Sequence, residues 1–327
     1  MECKICKNNI SNSMYKIKEM MFGTKEEFEY LKCSSCGCLQ INDVPNNISR
    51  FYPDSYYSLK VNPELLFKKN KNSIKFYLKK IRDKYLLFHS NPIGLILSVL
   101  FPNHSLKKII NNYLSGIKIK KIVSEDSRIL DVGCGKGELL FILREMGYRN
   151  CYGVDPFLSN DIVYENGLVV WKRTLFDITD EFDLIMLHHS FEHMQDPEKI
   201  LMKIYKLLSF DGICLIRIPI VDCLAWENYR ENWVQIDAPR HFFLHSRKSI
   251  EILAQKTGFF IKNTIFDSNE FQFWGSEKYM KGIPLTVDAK SDLKFTNKQI
   301  NKFKKKAEAL NKLGQGDQAV FYLSKKK

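Results

Sequence analysis

Three glycines at alternate positions mark the stretch of this chain best suited to chemistry. Residues 128–140 read Arg-Ile-Leu-Asp-Val-Gly-Cys-Gly-Lys-Gly-Glu-Leu-Leu, so a short apolar strand leads into the glycines and an apolar helical pattern follows them. Glycine has no Cβ and tolerates positive φ, and the backbone can therefore pass close to a ligand. The start of the following helix directs free N–H groups towards the same point. This turn suits a nucleoside cofactor, although its spacing differs from the dinucleotide Gly-x-Gly-x-x-Gly.

Two acidic residues accompany the glycines. Asp131 opens the motif, and Asp155 ends a second apolar strand eighteen residues beyond Gly137. This arrangement resembles the first motif of class I S-adenosylmethionine-dependent methyltransferases; the alternative is a glycine-rich turn in an unrelated α/β protein. In that family the second acid accepts the ribose hydroxyls, as a carboxylate can. The resemblance implies cofactor contacts at Asp131, Gly133, Cys134, Gly135, Gly137, Asp155, Pro156, Phe176 and His188.

The chain from residue 124 onward alternates strand and helix patterns, which predicts an α/β fold with a doubly wound, mostly parallel sheet. The resemblance implies a Rossmann-like sheet of seven strands, with the last strand antiparallel between the fifth and sixth. A long excursion at 268–317 departs from the family, which usually has a short hairpin there. The predicted strands are 128–132, 150–154, 167–171, 183–187, 213–218, 259–266 and 318–323, and the predicted helices are 137–147, 196–209, 246–257 and 297–312.

Histidines follow the fourth and fifth predicted strands. The resemblance places His188 and His189 beside the methionine end of the cofactor, whereas the Glu192–His193 pair more often braces that loop. A second segment, Asp-Ala-Pro-Arg-His at 237–241, resembles the acceptor-facing loop of a subgroup of the family.

A histidine whose pKa lies near 6.5 is a good general base for an alcohol. His241 is therefore the first candidate base and His189 the second, with a core brace as the alternative for His241. Arg240, Trp233 and Trp274 are candidate acceptor contacts, and core packing is the alternative for the tryptophans.

Four cysteines near the start form two Cys-x-x-Cys pairs, Cys3/Cys6 and Cys33/Cys36. Two such knuckles are typical of a tetrahedral Cys₄ zinc site of the ribbon type; two unrelated thiol pairs are the alternative. Four thiolates close the coordination sphere, which indicates a structural zinc. A module of about 45 residues is too small to be stabilised by its hydrophobic core alone, and a bound metal ion would supply the missing stability.

The net charge of +13 is concentrated in one segment. Residues 60–121 contain fourteen Lys or Arg against Glu64 and Asp83. Apolar residues recur there at helical spacing, so the segment could be a solvated basic helix face, a contact with an anionic lipid surface or lipid-linked phosphate, or a nucleic-acid contact. The aromatic connector that precedes it, 46–63, could pack on the catalytic domain or line a substrate groove.

The cysteine motifs and the charge pattern predict a zinc-ribbon-like module at 1–45 and a connector with a basic helical segment at 46–123. The resemblance implies a methyltransferase domain at 124–327 with its insertion at about 268–317. The start of the chain lacks the apolar region of a signal peptide, and the longest apolar run, 93–101, is too short to span a membrane. We therefore expect a cytoplasmic protein, peripheral to the membrane if residues 64–121 contact anionic lipid.

The choice of methyl acceptor rests partly on missing motifs. The fourth strand is not followed by Asn/Asp-Pro-Pro-aromatic, the signature of methylation on the exocyclic amino groups of nucleic-acid bases. Nor does the chain contain a Pro-Cys or Thr-Cys pair that could supply a thiolate for attack on a pyrimidine. The full layout resembles class I methyltransferases of bacterial surface-polysaccharide gene clusters. We therefore expect methylation, on oxygen, of a small-molecule or lipid-linked sugar, without nucleic acid as a partner. An RNA-modifying methyltransferase and a non-catalytic cofactor-binding scaffold are the alternatives.

Overall fold

The computed structural model describes residues 1–52, 63–64, 74–88, 91–102, 124–286 and 295–326. The chain divides into two compact units, each built from separate stretches of sequence. The first unit comprises Met1–Pro53, Phe191–Leu201 and Arg217–Phe321, and the second comprises Asp54–Ser190, Met202–Ile216 and Tyr322–Lys327. The domain boundaries at 45 and 123 stay a prediction.

The described residues form twelve strands in two sheets. The strands are β1 (Ser13–Lys18), β2 (Glu27–Lys32), β3 (Leu39–Ile41), β4 (Arg128–Val132), β5 (Asn150–Val154), β6 (Ile162–Val163), β7 (Val169–Trp171), β8 (Phe182–His188), β9 (Leu208–Pro219), β10 (Phe243–Leu244), β11 (Phe259–Phe266) and β12 (Gln318–Lys325). The described helices are α1 (Ile74–Phe88), α2 (Pro92–Leu100), α3 (Glu138–Met146), α4 (Pro197–Leu207), α5 (Leu224–Tyr229), α6 (Arg247–Lys256), α7 (Phe271–Met280) and α8 (Asn297–Lys312).

The larger sheet has the order β11-β12-β9-β8-β4-β5-β7-β6. All seven predicted strands are present, and the last of them, β12, lies between the fifth and sixth predicted strands, β9 and β11. The eighth strand, β6, is not predicted because its two residues, which pair antiparallel with β7 at the edge of the sheet, are too few to show a periodic pattern. The Rossmann-like α/β fold predicted from the sequence is thereby confirmed.

Parallel strands form the core of the second unit. β4 lies between β5 and β8, with Asp131 opposite Gly153 on one side and Met186 on the other. The β8 residues Leu184–Leu187 are fully buried, as expected of a parallel strand covered on both faces. Helix α3 follows the glycine turn and is flanked by two glycines with positive φ, Gly137 before it and Gly147 after it. The sheet thus presents the carboxyl ends of β4, β5 and β8 at one edge.

The first unit contains the smaller sheet, in the order β1-β2-β3-β10. Its fourth strand is supplied by residues 243–244, which pair antiparallel with Leu39 and Gln40 of β3. Sequence patterns do not predict this pairing, since a strand of two residues is too short to show the alternation of apolar and polar residues that indicates a strand. In the same unit the predicted excursion contains α7 and α8, whose buried residues Phe273, Ala307 and Leu310 pack together.

The basic segment is described over residues 63–64, 74–88 and 91–102, which include α1 and α2. α2 begins at Pro92, with the Asn91 side chain accepting the N–H of Ile93, and it crosses α1 closely at Gly94. A Cβ on Gly94 would lie 2.3 Å from Cβ of Tyr85, so only glycine permits this approach. The rest of the predicted segment lies outside the described residues, as do residues 53–62 of the connector. No helix within the described ranges combines the length and apolar character that a membrane span requires.

Candidate functional site

The glycine turn adopts a conformation that only glycine accepts easily. Gly133, Gly135 and Gly137 have φ of 74°, 56° and 76°. A Cβ on Gly133 would lie 2.6 Å from Cβ of Ser190, whose hydroxyl donates to the Val132 carbonyl at 2.6 Å. These contacts hold the turn against the end of β8, and substitution of Gly133 would displace it. Ser190 was not singled out in the sequence because its contact is with backbone.

Asp155 is anchored by the backbone on both sides of its carboxylate. The N–H of Gly135 donates to Oδ2 at 2.9 Å, and the N–H of Phe157 donates to Oδ1 at 2.9 Å. Asp155 is therefore held at the tip of β5 next to the glycine turn. Each carboxylate oxygen has two lone pairs and can accept more than one hydrogen bond, which suits a residue that binds hydroxyl groups. The predicted pairing of the turn with the second acid is present in the structure.

Asp131, the acid that opens the motif, is buried. Its Oδ1 has no hydrogen-bond partner among the described residues. Burial raises the pKa of Asp131 to about 8, and the negative charge of Asp155 adds to that rise. An orphaned buried acceptor is uncommon and calls for a donor or a cation. A bound S-adenosylmethionine fits this turn because it is positively charged and carries an ammonium group.

The remaining predicted cofactor residues surround the same strand ends. Cys134 is half-buried within the turn, Pro156 is exposed directly after Asp155, and Phe176 is 52% exposed on a 3₁₀ turn after β7. His188 ends β8 and is half-buried. His189 follows with φ of 50°, a left-handed conformation that is uncommon outside glycine and concentrates at functional sites.

Arg240 is fully buried in the first unit and is held by two carboxylates. Its guanidinium donates to Asp237 at 2.6 and 2.9 Å, to Glu19 at 3.0 Å and to the Phe51 carbonyl at 3.3 Å. Asp237 lies three residues before Arg240, so its role could have been inferred from the sequence. Glu19 lies far away in sequence, and no pattern indicates it. With 0% of its surface exposed, Arg240 is a structural brace in this geometry.

The two tryptophans predicted to contact an acceptor differ in exposure. Trp233 is 0% exposed, and its indole N–H donates to Asp317 at 3.2 Å. This geometry favours the core-packing alternative for Trp233. Trp274 is half-buried on α7, with its ring 4.8 Å from that of Phe271. Of these two candidates, Trp274 is therefore the residue that keeps accessible surface.

His241 lies in a cluster with Glu192 and His193. Its Nε2 is 3.9 Å from a carboxylate oxygen of Glu192 and 3.9 Å from one of Asp237. The rings of His193 and His241 meet edge to face with centroids 4.6 Å apart. Burial, together with the neighbouring His241, lowers the pKa of His193 to about 4, so this ring is neutral at neutral pH. The structure thus brings the predicted base together with the Glu–His pair of the β8 loop.

The four cysteines of the two knuckles converge in the first unit. Their sulfur atoms all lie within 4.8 Å of one another, with 3.6 Å between Cys3 and Cys36 and 3.4 Å between Cys6 and Cys33. Zn–S bonds of about 2.3 Å place tetrahedral sulfurs about 3.8 Å apart, so these spacings fit such an ion. Cys38 is a separate buried thiol outside this group. All nine cysteines are free of disulfide bonds.

Comparison with known proteins agrees with the geometry of the glycine turn. Residues 100–262 match a family model described as a methyltransferase domain. The chain contains a class I S-adenosylmethionine-dependent methyltransferase domain. The enzyme class and the cofactor predicted from the glycine motif are therefore confirmed for this domain.

One curated relative is a tRNA U34 carboxymethyltransferase from Sulfurimonas denitrificans, 31% identical over 101 residues. The match spans 27% of this chain and 33% of that protein. Among solved structures, a SAM-dependent methyltransferase from Archaeoglobus fulgidus is 22% identical, covers 72% of this chain and 100% of that one, and has a TM-score of 0.41. A cyclopropane synthase from Mycobacterium tuberculosis is 16% identical, covers 78% and 100% of the two chains, and has a TM-score of 0.43.

Replacement of Asp155 tests its role towards the cofactor. We expect Asp155→Ala to weaken S-adenosylmethionine binding by about 1.5–3 kcal/mol, because hydrogen bonds to a charged acceptor are lost. Isothermal titration calorimetry measures the affinity for S-adenosylmethionine. The control is Asp126→Ala, which removes an exposed carboxylate of the same unit. Thermal melting separates lost binding from lost folding. An affinity equal to that of the wild type would reject the ribose-binding role.

Proposed function

We propose that this protein transfers the methyl group of S-adenosylmethionine to a hydroxyl of a sugar or polysaccharide intermediate in surface-glycan biosynthesis. The observation that carries the methyl-transfer part is the glycine turn with its two buried acids, Asp131 and Asp155. The acceptor class is supported by the sequence layout, in which a Cys-x-x-Cys module, a basic helical insert and a Pro-Arg-His loop accompany the domain.

Bound at the turn, S-adenosylmethionine supplies a sulfonium-activated methyl group. The protein contributes mainly position, because approach in line with the breaking bond dominates the barrier for an activated donor. We assign the ribose hydroxyls to Asp155 and the cationic end of the cofactor to the buried Asp131. Pro156, Phe176 and His188 are proposed as further contacts around the same strand ends.

The acceptor hydroxyl must lose its proton during transfer. His241 remains the first proposed base and His189 the second, because a neutral imidazole can accept a proton near neutral pH. The left-handed backbone of His189 supports a functional assignment for that residue. For stacking on the sugar, the half-buried Trp274 is the proposed contact.

We further propose a structural zinc ion on Cys3, Cys6, Cys33 and Cys36. The convergence of the four sulfurs supports it, as does the knuckle geometry, in which the N–H of Cys36 donates to Sγ of Cys33 at 3.4 Å. Four thiolates leave no open coordination position, so this ion would stabilise the fold.

The proposed partner is a small-molecule or lipid-linked sugar, with peripheral contact to an anionic membrane from a cytoplasmic protein. The described part of the basic segment supports this contact. Exposed apolar side chains on or next to α2 are Ile93, Leu95, Ile96, Val99, Leu100 and Phe101, and exposed lysines on α1 are Lys75, Lys79 and Lys80. Apolar residues beside basic ones are the combination that binds anionic lipid.

An RNA substrate is the second candidate. It is favoured by the likeness to a tRNA U34 carboxymethyltransferase over 101 residues and by the basic segment. Lysines bind phosphates of nucleic acid without sequence specificity, so the charge by itself agrees with either partner.

Product formation with defined acceptors distinguishes these functions. We expect the full-length protein to release S-adenosylhomocysteine from S-adenosylmethionine with sugar nucleotides or lipid-linked sugars, and not with tRNA. His241→Ala and His189→Ala are compared for turnover, and loss of the base should lower it by at least about 100-fold while cofactor affinity is kept. Product with tRNA alone selects the RNA function, and no product with any acceptor selects the scaffold.

The zinc proposal is tested by metal analysis. We expect a thiol-binding mercurial to release about one zinc per chain from the wild type and almost none from Cys33→Ser, since a ligand is lost. Cys38→Ser is the matched control, because Cys38 is buried in the same module but lies outside the four-sulfur group. A folded wild type that releases no zinc would overturn the assignment.

Membrane contact is tested by co-sedimentation with vesicles. We expect binding to phosphatidylglycerol vesicles, weaker binding to phosphatidylcholine, and loss of binding in Val99→Asp, which places a charge on the apolar face of α2. Leu313→Asp is the control, since Leu313 is 70% exposed and lies outside the basic segment. Equal binding of wild type and Val99→Asp would contradict the role of α2.

A further inference from the structure

The cluster of Glu192, His193 and His241 has the composition of a metal site without sulfur. Glu192 and His193 belong to a 3₁₀ turn, Phe191–His193, and His241 belongs to the loop before β10. One ligand atom from each residue lies within 4.8 Å of the other two. Two imidazoles and one carboxylate are a common ligand set for divalent transition metals.

Hydrogen bonds to the backbone fix the orientation of both rings. Nδ1 of His241 lies 2.8 Å from the Gln235 carbonyl, and Nδ1 of His193 lies 2.8 Å from the Arg240 carbonyl. A carbonyl oxygen only accepts, so each Nδ1 carries the hydrogen and each Nε2 keeps its lone pair. The Tyr52 hydroxyl, 3.1 Å from Nδ1 of His193, is a more distant neighbour of the same nitrogen. Metal-binding histidines are oriented in this way, through the nitrogen that does not bind the metal.

The two segments that carry these ligands are also held together. The N–H of Phe242 donates to the Glu192 carbonyl at 2.8 Å, and the Tyr30 hydroxyl donates to the His241 carbonyl at 2.9 Å. Arg240, the residue before His241, is fixed by its buried carboxylate partners. A ligand set on backbone that is fixed from several directions loses little entropy when it binds an ion.

The distances allow an ion after a small adjustment. Nε2 of His241 and the nearer Glu192 oxygen are 3.9 Å apart. Bonds of about 2.1 Å in tetrahedral geometry would place these two atoms about 3.4 Å apart, so this pair would have to approach by roughly half an ångström. The other two pairs of ligand atoms lie within 4.8 Å. Three protein ligands would leave at least one coordination position open, in contrast to four thiolates.

We propose that Glu192, His193 and His241 bind one divalent transition-metal ion, with Zn²⁺ as the expected metal. This site is independent of the proposed methyl acceptor, because it is defined by ligands of the first unit alone. It also bears on the choice of base. The Nε2 lone pair of His241 cannot both bind a metal and accept a proton, so His241 can act as the first proposed base only without the ion, and His189 takes that role when the ion is bound.

Cobalt substitution separates the proposed site from the cysteine site. Full-length protein without a histidine tag is stripped with a chelator and titrated with Co²⁺ in the presence of excess Mg²⁺. Thiolate ligands give an intense sulfur-to-cobalt charge-transfer band, whereas nitrogen and oxygen ligands give only weak d–d bands. We expect the wild type to bind two cobalt ions per chain, of which one produces the thiolate band.

Variants identify the ligands. His241→Asn and His193→Asn can keep the hydrogen bond made by Nδ1 but lose the Nε2 ligand. We expect each variant to keep the thiolate band and to bind the second cobalt ion with an affinity lowered by at least about 100-fold. His245→Asn, a buried histidine outside the cluster, is the matched control and should bind two ions. Cys33→Ser should lose only the thiolate-bound ion.

Two results would overturn the proposal. One is a folded wild type that binds cobalt only with the thiolate spectrum when Co²⁺ is in excess. The other is His241→Asn that still binds two ions with wild-type affinity. If circular dichroism shows that a histidine variant is unfolded, Glu192→Gln replaces it, and the wild-type titration decides by itself whether a second site exists.

Discussion

The buried guanidinium of Arg240 is the interaction on which the first unit depends most. It joins three segments that are far apart in the sequence, through Asp237, Glu19 and the carbonyl of Phe51. Charge-assisted bonds of this kind are strong, but removal of one partner leaves another charge buried and unpaired. Loss of Arg240 would remove this partner from the buried carboxylate of Glu19 and the half-buried carboxylate of Asp237. This ion cluster therefore helps to hold the loop that contains His241 in place.

The cysteine module contributes to the same loop from the other side. β3 of the module pairs with β10, which begins two residues after His241. Beyond that pairing, the Ser246 hydroxyl donates to the Cys36 carbonyl, and the Lys248 ammonium donates to the Ser35 carbonyl at 2.7 Å. An ion that fixes the two cysteine knuckles would thus also fix residues 243–248. The module then functions as structural support for the histidine loop, although the two are far apart in the sequence.

The sequence was sufficient wherever function depends on local pattern. The strand, glycine turn and helix around residues 128–146, and the acid at the end of β5, follow from apolar periodicity and from the need for positive φ at Gly133. The four-cysteine cluster follows from the spacing of the two Cys-x-x-Cys pairs. Each of these features is encoded within a short window, so one sequence is enough to place it.

Contacts between distant segments could not be predicted in this way. The Glu19–Arg240 pair and the strand formed by residues 243–244 have no local signature. Each depends on a partner far away in the sequence and not on a periodic pattern of apolar residues. The same limit applies to Trp233: an aromatic residue in a polar loop could stack on a ligand, and only the structure shows that its N–H donates to a buried Asp317. In each of these cases the missing information was a contact with a residue far away in the sequence.

The electrostatics of the glycine turn connect the second unit to its cofactor. Asp131 is buried, and its pKa of about 8 means that it is largely protonated at neutral pH while no cation is near. A group with a raised pKa gives up its proton when a positive charge arrives, because the charge favours the ionised form. Binding of the cationic S-adenosylmethionine should therefore release a proton and strengthen as pH rises towards 8. The product S-adenosylhomocysteine has lost the sulfonium charge, so the same carboxyl group favours donor over product at this turn.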